Sequence, residues 1–257
     1  MPLESPRAQF RQLADEIRAA VGRGEYPPGS TLPSEPELAR RYGVSRLTVN
    51  RAVGLLRTEG LVRVERGKGT VVREIPMITR DAMSRYLRTS RERGEARGAF
   101  DSEVRGLGLT PRTEVTVERL SAPAAIAVAL ELAEGADVVT RNRRMYANDV
   151  PVQLATSWIP AEIADGTRIA EPDSGPGGII SRFAELGYAQ TRITERIQVR
   201  RPSDGEARFL RLDNDQAVTE IWHTGWTAED RPVEVCVHVV PAHLWALDYE
   251  WSIEPRA

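Results

Sequence analysis

The feature that most constrains this chain is a helix start signal at residue 34 with a helix stop nine residues later. Ser34 and Glu37 have the S-x-x-E spacing of a capping box, in which the two residues satisfy each other's backbone amides. We therefore predict a helix over residues 35–42. Gly43 follows directly, and glycine readily adopts the positive φ that ends a helix. The chain is expected to turn there.

A second helix is predicted immediately after this turn. Ser45 can cap it, and Gly60 marks its end after residue 59. One stripe of the helix is apolar at helical spacing and is expected to be buried, and it consists of Val49, Ala52, Val53 and Leu56. The polar residues of the other faces include Arg46, Thr48, Asn50, Arg51 and Arg57. The first turns of such a helix are the part that meets base edges in a major groove.

Two short strands are predicted on either side of a basic, glycine-containing tip at residues 65–69. Gly67 and Gly69 let the backbone approach a phosphate closely. Arg66 and Lys68 supply positive charge. Arginines on a helix face are usually only a solvated surface, but a helix pair followed by a basic wing favours a winged helix-turn-helix that binds DNA. The predicted DNA-binding residues are Ser34, Glu35, Ser45, Arg46, Thr48, Asn50, Arg51, Arg66, Gly67, Lys68 and Gly69.

Residues 10–72 resemble a known family. The run LPSE-x-E-L-A, then YGVSRLTV, then L-x-x-EGLV and a G-x-GT wing is similar to the N-terminal domain of GntR-type bacterial transcription regulators. Pro36 stands where that family often has a DNA-contacting arginine, and Asn50 replaces another frequent arginine. Asparagine pairs with adenine N6 and N7, so we expect an altered sequence preference and retained binding.

The charge distribution supports two domains. Residues 1–75 contain 13 Lys and Arg against 9 Asp and Glu, a net charge of +4, whereas the remainder contains 22 against 28, a net charge of −6. The basic part is therefore the predicted DNA-binding part. We predict a winged helix-turn-helix domain at 1–75, an arginine-rich linker at 76–100 and a second domain at 101–257. The linker arginines are expected to be solvated, with contact to DNA phosphate or an anionic ligand as the alternative.

The second domain alternates strands with short helices, which predicts an α+β fold on an antiparallel sheet. A capping box at Ser203 and Glu206 starts one of its helices. The predicted strands lie at 115–120, 138–146, 150–159, 190–200, 218–227, 232–240 and 247–251, and the predicted helices at 123–132, 177–186 and 203–210. A further helix is predicted at residues 7–21, in the first domain.

This half also resembles a known domain. The framework VERLSAP, PVQLATSWIP, RFAELG, ITERI, E-x-x-FL-x-L and RPVEV is similar to the UTRA effector-binding domain of the histidine-utilisation branch of the GntR family. The resemblance covers residues 102–251. It implies a fold shared with chorismate lyase, a small-molecule pocket on one side of the sheet, and a homodimer formed through this domain.

The same resemblance implies the pocket residues. Carried over position by position, they are Arg143, Ser157, Glu195 and Glu234, and His238 shares a strand face with Glu234. Ala155 stands where the family often has an acid. Arginine suits a carboxylate or phosphate, so an anionic effector is one open possibility, and a structural ion pair is the other. The alternative for Ser157 is a hydrogen bond to the backbone, and the alternative for the two acids is pairing with surface arginines. His223 and His243 are expected to be ordinary surface or half-buried residues and not ligands.

The remaining features exclude several classes of protein. Cys236 is the only cysteine, so we expect neither a disulfide framework nor a cysteine metal site. No apolar run approaches the roughly 20 residues of a membrane span, and the N-terminus lacks a signal-peptide core, so we expect a cytoplasmic protein without cofactor. A lyase-like enzyme is the alternative, but no catalytic constellation supports it. The favoured function is a repressor released from a double-stranded, near-palindromic operator by an effector, with an activator left open.

Overall fold

A computed structural model describes residues 8–65, 67–87 and 98–251. The chain divides into two compact units. The first comprises Met1–Pro76 and the short segment Asp213–Gln216, and the second comprises Met77–Leu212 and Ala217–Ala257.

The described residues of the first unit form three helices and a two-stranded hairpin. Its elements are α1 (Gln9–Gly22), α2 (Glu35–Tyr42), α3 (Arg46–Thr58), β1 (Val62–Glu65) and β2 (Gly69–Val72). The two strands pair antiparallel. These bounds confirm the predicted order of helix, turn, helix and wing to within about two residues at each end, the usual uncertainty of helix boundaries.

Local signals explain where the first unit's helices begin and end. The carboxylate of Glu37 accepts hydrogen bonds from the backbone N–H and the hydroxyl of Ser34, at 2.8 and 2.6 Å. Gly43 has φ of 65° and ends α2 in the left-handed conformation. The Ser45 hydroxyl accepts the Thr48 N–H at 3.1 Å and so caps α3. The sequence predicted all three features because each depends on residues within one helical turn.

The predicted apolar stripe of α3 forms the centre of the first unit's core. Val49, Ala52, Val53 and Leu56 are all buried. They lie in one cluster with Ile17 of α1, which is fully buried. Val44, in the turn, packs against the same cluster. The helix is therefore amphipathic, and its polar faces are left for solvent or for a ligand.

The second unit contains a six-stranded sheet and flanking helices. Its elements are β3 (Ile78–Asp81), α4 (Ala99–Gly106), β4 (Pro111–Ser121), α5 (Ala124–Ala129), β5 (Asp137–Ala147), β6 (Val150–Pro160), α6 (Ala161–Ala164), α7 (Gly178–Glu185), β7 (Arg192–Arg200), α8 (Asp204–Leu210), β8 (Val218–Trp226), β9 (Pro232–Pro241) and β10 (Trp245–Asp248). The main sheet has the order β4-β5-β6-β9-β8-β7, and every neighbouring pair is antiparallel. This is the predicted α+β arrangement.

The two faces of the main sheet bury different clusters because successive strand residues point to opposite sides. Val139 packs with Ile159 and with Phe183 of α7 on one face. Its neighbour Val138 packs with Val235 and with α5 on the other face. The α7 side carries the polar residues discussed below.

The structure differs from expectation in the stretch predicted as a linker. Ile78–Asp81 forms a strand that pairs parallel with β10, so the closing strand does not join the main sheet. A 3₁₀ turn follows at Ser84–Tyr86. Ile78 is fully buried, and Arg80 and Arg85 are buried as well. The low apolar content of this stretch was misleading, since Arg80 and Arg85 are buried with the acidic partners Glu195 and Glu103 instead of being solvated.

Several arginines with predicted roles are not among the residues that the structure describes. Arg66 and the linker arginines Arg88, Arg91, Arg93 and Arg97 lie outside the described residues. The described helices are all too short or too polar to span a lipid bilayer.

The buried strand β3 leads to a stability prediction. Ile78→Ala should lower the free energy of unfolding by about 2 to 5 kcal/mol, because it leaves a cavity at a fully buried site. Met77→Ala is the control, since Met77 is 51% exposed, and it should cost no more than about 0.5 kcal/mol. Urea unfolding curves of the two variants measure both values. Equal, small effects would show that β3 contributes nothing to the core.

Candidate DNA-binding and effector-binding sites

The N-terminal turns of α3 present the predicted base-reading residues to solvent. Arg46, Asn50 and Arg51 are exposed, and Thr48 is half-buried. Neither Arg46 nor Arg51 has an ion-pair partner in the described part of the chain. Their guanidinium groups are therefore available to base edges or phosphates.

Several of these side chains are oriented by bonds within the first unit. Asn50 donates from Nδ2 to Glu35 Oε1 at 3.2 Å. The second N–H and the carbonyl oxygen of its amide remain for an adenine, which offers one acceptor and one donor in the major groove. The hydroxyls of Ser45 and Thr48 lie 2.9 Å apart. Glu35 and Ser45 thus have structural roles at the surface where we predicted DNA contact.

The described part of the wing tip is open and positively charged. Gly67 and Gly69 have φ of 82° and 99°, values that favour glycine. Lys68 is exposed, and its ammonium lies 3.6 Å from Glu65 of β1. An exposed pair at this distance contributes about 0 to 1 kcal/mol, so it leaves the lysine free to exchange partners.

In the second unit, strand register places two of the predicted effector residues, Ser157 and Glu195, in one row across the sheet. Arg141 lies opposite Ser157, Ser157 opposite Cys236, Cys236 opposite His223, and His223 opposite Glu195. Cross-strand partners have Cβ atoms about 5 Å apart and face the same side of a sheet. Five strands therefore bring together residues that are up to 95 positions apart in sequence.

A chain of hydrogen bonds connects the central charges on this face. Arg143 donates from Nη2 to Ser157 Oγ at 2.6 Å, and Ser157 donates to Glu234 Oε1 at 2.7 Å. Arg143 Nη2 also lies 3.0 Å from Cys236 Sγ. Ser157 is fully buried and Glu234 is 3% exposed. The Ser157 hydroxyl thus bridges the Arg143 cation and the Glu234 carboxylate. It is bonded to side chains, and the alternative considered from the sequence was a bond to the backbone.

A close approach completes the environment of Glu234. Gln190 donates from Nε2 to Glu234 Oε2 at 3.0 Å. Its side chain crosses over Gly225, where an added Cβ would lie 2.4 Å from the Gln190 carboxamide. Any side chain at residue 225 would therefore push Gln190 away from the carboxylate.

A cavity of about 610 Å³ lies within the second unit, on the same side of the sheet as Glu234. Three of the five predicted effector residues line it, namely Arg143, Glu234 and His238. Ser157 lies behind them, and Glu195 is not among the described lining residues. The first residues of α7 also border the cavity. Its volume is in the range typical of small-molecule sites, about 300 to 1,000 Å³.

Arg141 borders the cavity but has a structural role that the sequence did not indicate. Its guanidinium donates to the backbone carbonyls of Ile169, Glu171 and Pro172. Burial and the nearby charge of Arg143 lower the pKa of Arg141 to about 10, so it stays protonated at neutral pH. Arg143 differs, because its guanidinium is bonded to the side chains of Ser157 and Cys236. The buried Nε of each of these two arginines has no hydrogen-bond partner in the described structure.

Glu195 belongs to a separate buried cluster. It forms a buried ion pair with Arg80 and accepts hydrogen bonds from Tyr86 at 3.0 Å and Tyr249 at 2.6 Å. Burial alone would raise the pKa of Glu195, but the His223 hydrogen bond and the Arg80 charge hold it well below its usual value. Its carboxylate is already satisfied by these internal partners.

The expectation for His223 was wrong. It was predicted to be a surface or half-buried residue, but it is 3% exposed and lines the cavity. Its ring stacks on Tyr86, with centroids 5.2 Å apart, and its Nδ1 lies 2.9 Å from the Tyr86 hydroxyl. The signal was hidden because Tyr86 comes from the stretch predicted as a linker.

His238 and Cys236 are both buried and both uncharged. Burial, with the charges of Arg80 and Arg85, lowers the pKa of His238 well below its usual value. Its Nδ1 lies 3.0 Å from Gln153 Nε2. Burial raises the pKa of the Cys236 thiol. Within residues 8–65, 67–87 and 98–251, no three His, Cys, Asp or Glu side chains could together hold a metal ion.

The depressed pKa of His238 predicts a pH dependence of stability. Below about pH 6.5 an unfolded histidine binds a proton while the folded His238 stays neutral, so the free energy of unfolding should fall as pH falls. His238→Asn removes this group and should reduce that loss by up to about 1.4 kcal/mol per pH unit. Urea unfolding of both proteins between about pH 5 and 7.5 tests this. Parallel pH curves would contradict the neutral assignment.

Comparison with known proteins identifies the family that each unit matches. Residues 9–72 match the gntR family of bacterial regulatory proteins, and residues 106–244 match the UTRA domain. An uncharacterised helix-turn-helix transcriptional regulator of Streptomyces coelicolor is 36% identical, over 98% of this chain and 96% of its own. The transcriptional repressor NagR of Bacillus subtilis is 27% identical, over 86% and 85% of the two chains.

Solved structures of other proteins share the fold of this chain. A GntR-family regulator has a TM-score of 0.59 at 26% identity, covering 96% of this chain and 99% of that one. PhnF of Mycobacterium smegmatis has the same fold, with a TM-score of 0.59 at 22% identity over 94% and 99% of the chains. GntR regulators bind DNA, UTRA domains bind small-molecule effectors, and the relatives are named as transcriptional regulators. The chain belongs to the GntR family of bacterial transcription regulators and carries a UTRA effector-binding domain.

Proposed function

We propose that this regulator is a repressor that binds a near-palindromic operator as a homodimer and releases it when a small anionic effector occupies the cavity. The observation that carries the proposal is Arg143, a half-buried cation bordering a cavity of about 610 Å³. One relative, NagR of Bacillus subtilis, is named as a repressor, which supports repression as the direction of control.

The DNA part of the proposal rests on α3 and the wing. Arg46 and Arg51 are exposed cations without ion-pair partners in the described residues, and Lys68 extends the positive surface from the wing. One helix reads only one half-site. A homodimer would read two half-sites about 34 Å apart, or a multiple of that spacing, and this is why we include a palindromic operator.

The effector part rests on which charged groups in and around the cavity already have partners. The guanidinium of Arg141 is bonded to backbone carbonyls, and Glu195 forms an ion pair with Arg80. Arg143 shares one nitrogen with Ser157 and Cys236. The rest of its guanidinium fork would suit a carboxylate or phosphate. Glu234 and neutral His238 would then accept hydrogen bonds from effector hydroxyl or amine groups.

Release would follow from linkage between the two sites. An effector that binds more tightly to the DNA-free conformation weakens operator binding by the same factor by which the operator weakens effector binding. The change in operator affinity cannot exceed the difference in effector affinity between the two conformations.

A reporter driven from the promoter that this regulator controls tests whether it represses or activates. Expression should rise when the gene for this chain is deleted, and a fall would indicate an activator.

Removing Arg46 tests the DNA-binding surface. Arg46→Ala should cost roughly 1 to 3 kcal/mol of operator binding and relax specificity at one base pair. Lys68→Ala should instead weaken all duplexes about equally and flatten the salt dependence. Arg23→Ala is the control, since this exposed arginine pairs with Glu25 at the end of α1. Fluorescence anisotropy at two salt concentrations measures each effect, and unchanged operator affinity for Arg46→Ala would refute the groove assignment.

Removing Arg143 tests the cavity. A thermal-shift screen of sugar phosphates and carboxylates would first find a stabilising compound, because any native-state ligand raises stability. Arg143→Ala should then lose that shift and the release of operator, while operator binding itself is kept. Arg144→Ala is a matched control, because Arg144 is on the opposite face of the same strand and stacks over Phe209. Retained response in Arg143→Ala would exclude this arginine as the anion site.

A further inference from the structure

An exposed leucine lies in the middle of the polar surface of α3. Leu47 is 62% exposed, although it is in the first turn of a helix whose other large apolar residues contribute to the core. Among the described residues of the first unit, only Val64 is a comparably exposed large apolar residue. A single exposed leucine is ordinary on a protein surface, so its neighbours must decide whether it has a role.

Those neighbours are the candidate base-reading residues. Residues three and four positions apart share a helix face, so Leu47 lies beside Asn50 and Arg51, and Arg46 is adjacent in sequence. Arg46, Asn50 and Arg51 are all exposed. A polyanion attracted by the two arginines would bring its surface directly onto the leucine and remove its side chain from water.

The chemistry of a major groove offers one apolar group for such a side chain. The C5 methyl of thymine is the apolar marker there, and side chains contact it by packing alone. Asn50 has the donor and acceptor pattern for adenine, so the same surface already favours an A·T pair. Its Cβ lies about 5 to 6 Å from that of Leu47, the usual spacing for residues three apart on a helix. A rise of about 3.4 Å per base pair then places the thymine within about two pairs of that adenine.

We propose that Leu47 is a specificity-determining residue that packs on the C5 methyl of one thymine in each operator half-site, close to the adenine read by Asn50. This inference rests on the proposed reading of DNA by α3. It predicts that part of the operator preference comes from an apolar contact that salt does not weaken, alongside the arginine contacts that salt does weaken.

The experiment removes the methyl group from the DNA and the side chain from the protein. An operator is first obtained by selecting random duplexes with the full-length wild-type protein. Each thymine is then replaced in turn by uracil, which lacks only the C5 methyl. The wild-type protein should bind about threefold to fivefold more weakly at one thymine per half-site, the size expected for one buried methyl group.

Leu47→Ala completes a double-mutant cycle. It should bind the thymine operator more weakly than the wild type and should show no further loss with uracil at that position. Leu47→Met keeps an apolar side chain of similar volume and should retain the uracil effect. Val128→Ala, at a 79% exposed apolar residue of α5 in the other unit, is the control and should behave as the wild type does.

Each outcome decides a different point. If the wild type selects no sequence at all, the proposed DNA reading is wrong, and this inference is lost with it. If the wild type selects an operator but no thymine is sensitive to uracil, the methyl contact is wrong while the DNA reading stands. The inference is also overturned if Leu47→Ala retains the full uracil effect, since the methyl group would then contact another residue.

Discussion

The second unit depends on the mutual neutralisation of charges on one face of its sheet. A buried carboxylate or guanidinium is costly unless it is paired and hydrogen-bonded. Glu234 meets this requirement through Ser157 and Arg143, and Glu195 meets it through Arg80. Because these partners come from distant strands, the sheet must form in one register for any of them to be satisfied. The hydrogen bond from Arg143 to Ser157 also holds Arg143 at the border of the cavity.

The two sites of this regulator are constructed in different ways. The proposed DNA-binding surface comprises α3 and the wing, and the cap, buried stripe and exposed face of that helix all follow from short-range spacing. The cavity is lined by residues from several strands and helices, and its character depends on which charges already have partners. A regulator of the GntR family needs both kinds of site. The first tolerates a change of base preference by single substitutions, whereas the second couples several residues at once.

The comparison of expectation with structure follows the same division. The helices at Glu35–Tyr42 and Arg46–Thr58 and the long strands of the sheet were predicted because their signals lie within a few residues. Strand β3, buried His223 and the backbone-bonded Arg141 were not predicted. For each of these, the partner that explains it is at least 28 residues away, so no local pattern carries the information.

The sequence by itself determined the winged helix-turn-helix, the antiparallel α+β domain and the membership of both in a known family, since caps, alternation and motif spacing are short-range properties. Only the tertiary structure decided that Arg141 is bonded to backbone carbonyls while Arg143 at the cavity is not. It also decided that Glu195 is the internal counter-ion of Arg80. The physical reason is that the environment of a buried charge is set by cross-strand neighbours, and register alone brings those together.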